Sequence, residues 1–303
     1  MHSQSPSRTR RTILRATASA VAVAALASGC ASETVQRGFL PGYSDGEVTD
    51  QTARITSLWN GSWIAALIVG VITWGLILWC VAAYRKRKDD HVLPVQTRYH
   101  LPLEIMYTAV PIVMVLVLFY YTDRDMTAIK DLSAEPDVEI QVIGKQWSWD
   151  FNYLTDDVYE SGQHEANVGD LRSEDEIEGA PGTATSLPTL YLPVNEVVRF
   201  KLDSRDVIHS FWIPAFLFKM DMIPERTNEW QVTPTREGVY AGKCAELCGE
   251  HHSGMLFNVA VVSREEYDAQ MQKLEDKGQT GELGLDLNRL QDPNPPVVTE
   301  GEN

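Results

Sequence analysis

Basic residues are scarce in this sequence. Its 303 residues include 26 Lys and Arg against 42 Asp and Glu, which gives a formal net charge of −16. Because proteins bind nucleic acid mainly by neutralising phosphates with Lys and Arg, this balance argues against nucleic acid as a partner. It favours a basic protein as a partner instead. The length allows one sizeable domain with additional segments.

Cysteine is also rare, and the sequence lacks the Cys-x-x-Cys-His motif, which excludes a covalently attached c-type haem. Of the four cysteines, Cys30 follows a signal-like region and Cys80 lies in an apolar run. Only Cys244 and Cys248 fall in a polar region that we expect to be exported. A disulfide is the ordinary alternative for such a pair outside the cytosol. It would leave the histidine and methionine residues around this pair unexplained.

Residues 244–255 concentrate the chemistry of a metal site. They contain two thiols, imidazole groups and a thioether, and a further imidazole, His209, lies upstream. Soft sulfur together with imidazole favours copper over magnesium, calcium or manganese. Two thiolates can bridge a pair of copper ions, so the pattern predicts electron transfer. On chemistry alone, either of the adjacent His251 and His252 could supply the second imidazole.

The N-terminal residues have the pattern of an export signal. Four arginines precede an apolar, Ala-rich run at 16–27, and Leu-Ala-Ser-Gly before Cys30 resembles a bacterial lipobox. We therefore predict a signal peptide over 1–29 and lipidation of Cys30. Ordinary cleavage nearby is the alternative, because Ala27 stands where the lipobox usually has Leu. Residues 30–58 would then form an external segment.

Two long apolar runs predict membrane helices. Residues 63–84 carry no charge, and as a helix they would reach about 33 Å, which is enough to cross a bilayer. The basic residues at 85–88 then mark the cytoplasmic end. A second run, 101–121, contains one acid, Glu104, near its start. Glu104 is either a functional group or an acid close enough to the membrane edge to reach water. We predict a transmembrane hairpin over 59–123.

The remaining chain alternates short β-like runs with turns, which predicts an all-β sandwich or barrel over 124–262. His209 falls at a strand end, and the sulfur-rich loop separates the last two strands. Residues 154–188 form an acid-rich insertion, which is either a solvated loop or a docking surface for a partner. We expect residues 263–303 to form a short helix, over about 263–277, followed by a mobile tail.

These motifs resemble subunit II of the haem–copper cytochrome c oxidases, over about 59–262 apart from the acidic insertion. The resemblance rests on LEIMYTAVP around Glu104, GKQWSW around Trp147, DVIHSFW around His209 and the loop that begins at Cys244. It implies a two-helix transmembrane hairpin followed by an all-β cupredoxin domain, a Greek-key sandwich or barrel. It also implies a multi-pass protein of the cell (plasma) membrane, with its C-terminal copper domain on the extracytoplasmic side.

The resemblance further implies a dinuclear copper centre, CuA. Its ligands would be His209, Cys244, the backbone carbonyl of Glu246, Cys248, His252 and Met255. The family pattern selects His252 over His251, because the ligand lies four residues after the second cysteine. The Glu246 side chain would face a magnesium ion shared with subunit I. Trp147 matches the family's electron-entry aromatic, although a core tryptophan is the ordinary alternative, and Glu104 matches the acid at the mouth of a proton channel.

The implied function is electron transfer from cytochrome c through CuA to a haem in subunit I, which reduces O2 to water and translocates protons. We see no residues for O2 chemistry in this chain. The implied partners are subunit I, other oxidase subunits, the lipid bilayer and a cytochrome c. That cytochrome c is either separate or held in the membrane, for example in a supercomplex with a cytochrome bc complex.

Three rival functions are weaker. A thioredoxin-like copper carrier would have alternating helices and strands and no methionine eleven residues after the first cysteine. A quinol-oxidising subunit II would have lost the copper ligands. A purely structural lipoprotein anchor would not explain the sulfur-rich loop.

Overall fold

The computed structural model describes residues 33–41, 47–86, 95–162 and 187–285. It divides into two compact units, one comprising Met1–Leu40 with Thr56–Ile105 and the other Pro41–Ile55 with Met106–Asn303. The predicted signal peptide, Cys30 and most of the predicted acidic insertion lie outside the described residues.

Two long helices match the predicted membrane spans. After a short helix, α1 (Glu33–Gln36), the chain forms α2 (Thr52–Ala83) and α3 (Leu101–Ile129), both long and apolar enough to cross a bilayer. Most of their large apolar side chains are exposed, as a membrane helix requires. Each helix extends beyond the apolar run that predicts it, and the added turns are more polar.

The start of α2 and the end of α3 lie together in the second unit. The Gln51 side chain donates a hydrogen bond to the Ile129 carbonyl at 3.4 Å, and Arg54 pairs with Asp125 at 3.1 Å. In the second unit, the residues at the start of α2 therefore lie beside the last residues of α3.

The residues just before α2 pack against the β domain. Thr49 forms an isolated β-bridge with Pro234, and the Trp230 indole N–H donates to the Gln51 side chain at 3.1 Å. Val48 is fully buried in the same core as the strands. Residues 47–51 of the predicted external segment are therefore part of the domain, and the rest of that segment from Thr52 onward forms the start of α2.

The domain is a sandwich of two five-stranded sheets. The strands are β1 (Val138–Lys145), β2 (Ser148–Tyr153), β3 (Val158–Ser161), β4 (Thr189–Pro193), β5 (Val198–Ser204), β6 (His209–Ile213), β7 (Phe218–Met222), β8 (Asn228–Val232), β9 (Gly238–Cys244) and β10 (Leu256–Val262). The first sheet has the order β3-β2-β1-β5-β8 and the second β4-β10-β9-β6-β7. The pairs β1–β5 and β4–β10 are parallel, and the other neighbouring strands in these two sheets pair antiparallel.

Aromatic side chains fill the space between the two sheets. Phe211 and Phe257 stack with ring centroids 5.2 Å apart, and Trp149 lies 4.9 Å from Phe257. Full burial of such a side chain contributes about 1.5–3 kcal/mol. The Trp149 ring also lies 6.5 Å from the His209 ring, so the packed core extends to the predicted metal site.

The predicted acidic insertion begins too early. Strand β3, which falls inside 154–188, pairs with β2 in antiparallel register. Its residues Val158 and Tyr159 are buried, and this apolar pair stabilises a strand despite the acids around it. The residues of β3 therefore belong to the sheet and not to the insertion predicted over 154–188.

The predicted C-terminal helix is present as α4 (Arg264–Asp276), which buries Tyr267, Met271 and Leu274. The prediction of a mobile tail directly after Gly278 is wrong for the residues that the structure describes. We call residues 279–284 the C-terminal strap, because they run beside the edge strand β3 and reach the side chain of Asn152 in β2. Gln279 accepts a hydrogen bond from the Tyr159 amide, and Leu283 exchanges two hydrogen bonds with the Asn152 side chain. Burial of Leu283 and these bonds fix the strap.

Candidate metal centre

Three predicted ligands converge at one end of the sandwich. His209 is the first residue of β6 and Cys244 is the last residue of β9, and these strands are neighbours in the second sheet. Cys248 lies in the loop that follows. Their ligand atoms all lie within 4.8 Å of one another, and all three residues are buried.

The two cysteine sulfurs form the middle of the cluster. Their Sγ atoms are 3.8 Å apart, well beyond the bonding distance of about 2.05 Å in a disulfide, and both cysteines are free. Cys244 Sγ lies 3.8 Å from His209 Nδ1, and Cys248 Sγ lies 3.4 Å from His252 Nδ1. Each sulfur thus has its own imidazole.

The two remaining predicted donors complete the arrangement. Met255 Sδ lies 3.7 Å from Cys248 Sγ, and the Glu246 carbonyl oxygen lies 3.2 Å from Cys244 Sγ. The structure therefore brings together the donor atoms of all six predicted ligands. His251 points elsewhere, because its ring contacts Trp147 edge-on with centroids 4.8 Å apart.

The two thiols lose their protons unequally. The contact with the Cys248 sulfur holds the pKa of the Cys244 thiol well below its usual range, and the same contact raises the pKa of the Cys248 thiol. One proton leaves this pair readily and the second is retained. A cation bound to both sulfurs would replace that second proton, so the donor set fits a soft metal.

Asp206 orients His209. Its carboxylate lies 2.8 Å from His209 Nε2 and accepts the Gln146 amide at 2.7 Å. Burial would raise the pKa of Asp206, but the hydrogen bonds from His209, Gln146 and Val207 outweigh burial and lower it. A carboxylate on one imidazole nitrogen commonly directs the other towards a metal. Here Nδ1 faces Cys244.

Gln146 and Trp147 hold the loop. The Gln146 amide side chain donates to the Cys248 carbonyl at 2.6 Å, and the Trp147 indole N–H donates to the same carbonyl at 3.2 Å. Gly249 has φ of +131°, and a Cβ there would lie 2.9 Å from the Trp147 ring. Only glycine therefore allows the loop to lie this close to Trp147.

Comparison with known proteins decides the family. A family model described as "Cytochrome C oxidase subunit II, periplasmic domain" matches residues 138–262, which span β1 to β10. A protein from Streptomyces avermitilis named "Probable cytochrome c oxidase subunit 2" is 45% identical over 296 residues, covering 92% of each chain. This chain belongs to the cytochrome c oxidase subunit II family.

A second Streptomyces relative agrees with this membership. A protein of the same name from Streptomyces coelicolor is 46% identical over 296 residues and also covers 92% of each chain. The crystal structure of the periplasmic domain of subunit II of cytochrome oxidase (CoxB) of Bradyrhizobium japonicum is 28% identical, with a TM-score of 0.39. That match covers 48% of this chain and 99% of the other.

Membership in the subunit II family confirms the predicted fold, two apolar helices with a cupredoxin-like sandwich. It makes the chain a component of a haem–copper oxidase, with a membrane part and a domain of the periplasmic type. The family also implies a CuA copper site, which the convergence of His209, Cys244 and Cys248 fits.

Sequence reasoning did not assign roles to Asp206 and Gln146, although both lie inside the motifs that carry the resemblance. An acid three residues before a candidate histidine ligand was the available signal for Asp206. Sequence reasoning also gave no role to Gly144. A Cβ at this position would lie 2.8 Å from His209 Cδ2. The backbone of β1 must therefore approach the imidazole closely.

Glu104 has a local structural role at the start of α3. Its Oε1 accepts a hydrogen bond from the His100 amide at 2.8 Å, and His100 Nδ1 accepts the Leu103 amide at 3.3 Å. These bonds tie the side chains of Glu104 and His100 to backbone amides at the helix N-terminus. The predicted role of Glu104 in proton entry stays a prediction.

Proposed function

We propose that this chain is the electron-entry subunit of a cytochrome c oxidase. It accepts electrons from cytochrome c at a dinuclear CuA centre and passes them to a haem in subunit I. There O2 is reduced to water, coupled to proton translocation. The observation that carries the proposal is the pair of buried cysteine sulfurs, 3.8 Å apart, each with an imidazole beside it.

The proposed ligands divide into bridging and terminal groups. Cys244 and Cys248 would bridge two copper ions, and the terminal donors would be His209, His252, Met255 and the Glu246 carbonyl. When bound, the copper pair supplies a reversible one-electron store. The sandwich holds five of these residues buried or partly buried, so their positions change little with the charge of the centre.

Trp147 is the proposed point of electron entry. It is partly exposed, packs against the core, and donates its indole N–H to the carbonyl of Cys248. One hydrogen bond therefore connects an aromatic group at the surface with the backbone of a proposed ligand. A tryptophan confined to the core would not offer this connection.

The acidic segment between β3 and β4 would help to dock a basic cytochrome. Residues 163–186 carry six acids and one arginine. The described ends of this segment meet beside Ser148, because a Cβ at Gly162 would lie 2.5 Å from both Ser148 Oγ and Pro188 Cγ. Ser148 directly follows Trp147. Negative charge attached next to the entry point would steer a positively charged donor towards it.

Other assignments complete the proposal. The Glu246 side chain is exposed, so it is available to a magnesium ion shared with subunit I. Glu104, in the first turn of α3, would lie at the mouth of a proton channel into subunit I. We place the chain in the plasma membrane, crossing it twice, with Cys30 lipidated on the outer side. A cytochrome bc–oxidase supercomplex would hold the donor close.

Substitution of one bridge tests the function. Copper-loaded Cys248→Ser, prepared as the full-length chain in detergent, should lose the electron spin shared over two copper nuclei, because one bridging sulfur is absent. Electron paramagnetic resonance measures this signal. Cys80→Ser is the matched control, since Cys80 is an exposed residue of α2 and the signal should survive there. An unchanged signal in Cys248→Ser would refute the ligand assignment.

A further inference from the structure

We propose that Asp150 is a positioning residue for the metal centre. It acts at a distance, through the residues that follow Lys145 and Arg205 in the chain. This inference rests on the proposed function, because it concerns the geometry of the same site. None of these three residues belongs to the proposed ligand set.

Asp150 is the centre of a buried cluster of charges. Its carboxylate is fully buried and lies 2.7 Å from Lys145 Nζ and 3.0 Å from Arg205 Nη2. The two cationic side chains are also buried, with 8% and 3% of their surface exposed. Ser161 donates a hydrogen bond to the same carboxylate at 2.6 Å. The angle at Arg205 does not complete a hydrogen bond to Asp150, so that contact is an ion pair.

The C-terminal strap completes the cluster. Arg205 Nη2 donates to the Gly284 carbonyl at 3.0 Å, and Leu283 is anchored to Asn152, two residues beyond Asp150 in β2. With water excluded, the attraction between these charges is stronger than at a surface. Removal of one partner from such a cluster is costly, because a buried charge is left without compensation.

Each cation directly precedes a residue that holds the metal site. Lys145 precedes Gln146, whose side chain binds the Cys248 carbonyl. Arg205 precedes Asp206, whose carboxylate binds His209. The two arms are joined to each other, since the Gln146 amide donates to Asp206 at 2.7 Å.

The backbone links the arms as well. The Arg205 amide donates to the Gly144 carbonyl at 3.0 Å, and Gly144 is the residue against which the His209 ring packs. By fixing Lys145 and Arg205, Asp150 therefore fixes the residues that orient His209 and hold the backbone of Cys248. Its removal should loosen the geometry of the site and leave every ligand in place.

The test compares Asp150→Asn with Asp203→Asn in the full-length chain in detergent. Asp203 is also a buried acid of the first sheet, but it accepts hydrogen bonds from Thr227 and Gln141, not from the arms of the site. In the metal-free chain, the Gln146 amide of Asp150→Asn should exchange with solvent about tenfold faster, and that of Asp203→Asn should not.

Copper supplies a second readout. When both variants are loaded with copper ions, Asp150→Asn should show an altered copper hyperfine pattern and affinity reduced by about tenfold. Asp203→Asn should match the unsubstituted chain. Should Asp150→Asn not fold, Lys145→Gln decides, because it keeps the Asp150–Arg205 pair; we expect the same changes at smaller size.

The inference is overturned if Asp150→Asn lowers the unfolding temperature but has the same Gln146 exchange rate and the same copper spectrum as Asp203→Asn. If Asp150→Asn does not fold, an unaltered copper spectrum in a folded Lys145→Gln chain would also overturn the inference. Failure of the proposed function looks different, since the unsubstituted chain itself would then lack a dinuclear copper signal.

Discussion

The loop that carries most of the proposed ligands differs sharply from the sheet edge that supports it. Residues 245–255 contain one short 3-10 turn, His252–Gly254, and several exposed positions, with Leu247 exposed to 77%. The supporting edge, at the ends of β1 and β5, includes buried charges and regular strand pairing. The irregular loop supplies donor atoms, and the rigid edge determines where those atoms lie.

The supporting edge contacts the loop and the neighbouring His209 at few points. Asp206 contacts His209, and Gln146 and Trp147 both bind the Cys248 carbonyl. A copper site built this way should respond strongly to changes at the supporting edge, even where no ligand is altered. The following predictions probe that dependence.

The largest effect is expected at Gly144, on the supporting edge. In Gly144→Ala, the added Cβ would lie 2.8 Å from His209 Cδ2, so the ring or strand β1 must move. We expect the free energy of unfolding to fall by about 1–3 kcal/mol and copper affinity to fall by about 10–100-fold. Chemical denaturation of the metal-free chain and copper titration measure the two effects.

Gly61→Ala is the control, because a Cβ at this position of α2 meets nothing within 4 Å. If Gly144→Ala bound copper with the same affinity as the unsubstituted chain, the edge would not determine the position of His209.

Trp147 sits where the two regions join, and its substitution should separate electron entry from metal binding. In Trp147→Ala we expect electron transfer from reduced cytochrome c to slow by about tenfold or more, with copper content retained. Trp147→Phe keeps an aromatic ring and loses the hydrogen bond to Cys248, so its rate should be intermediate. Rapid-mixing kinetics measure these rates. Normal kinetics in the alanine variant would mean that electrons enter elsewhere.

The smallest effect is expected at Glu160 of β3, which contacts neither region. Burial raises the pKa of Glu160 above its ordinary value of 4.5, and Lys277 opposes this only partly. When the pKa of a carboxyl is higher in the folded state than in the unfolded state, the protein loses stability as the pH rises from the unfolded pKa through the folded pKa. Glu160→Gln should therefore remove that decline and be more stable at pH 7, by less than about 1 kcal/mol.

Denaturation between pH 4 and pH 7 tests the sign of this effect. Glu237→Gln, at an exposed acid, serves as the control, and the copper spectrum should be the same in both variants. A larger decline with pH in Glu160→Gln than in the unsubstituted chain would contradict the prediction.

The fold class and the clustering of the proposed ligands could be predicted from the sequence because their signals are local. Soft donors cluster within 244–255, and the strands alternate apolar and polar residues. The supporting cluster gave no such signal. Lys145 and Arg205 are far apart in the chain and meet only because β1 and β5 pair in parallel, a pairing that no local pattern specifies. Strand β3 and the C-terminal strap were missed because one or two apolar residues anchor each of them.

The contact between the segment before α2 and strand β8 has a consequence for the biogenesis of the chain. Gln51 and Trp230 are 179 positions apart, and both membrane helices lie between them. In the proposed topology, the residues before α2 therefore stay without their partners in β8 until both helices and most of the sandwich have been synthesised. Closure of the domain would then require both helices to cross the bilayer, and a chain with one helix misplaced would leave Val48 and Trp230 exposed to water.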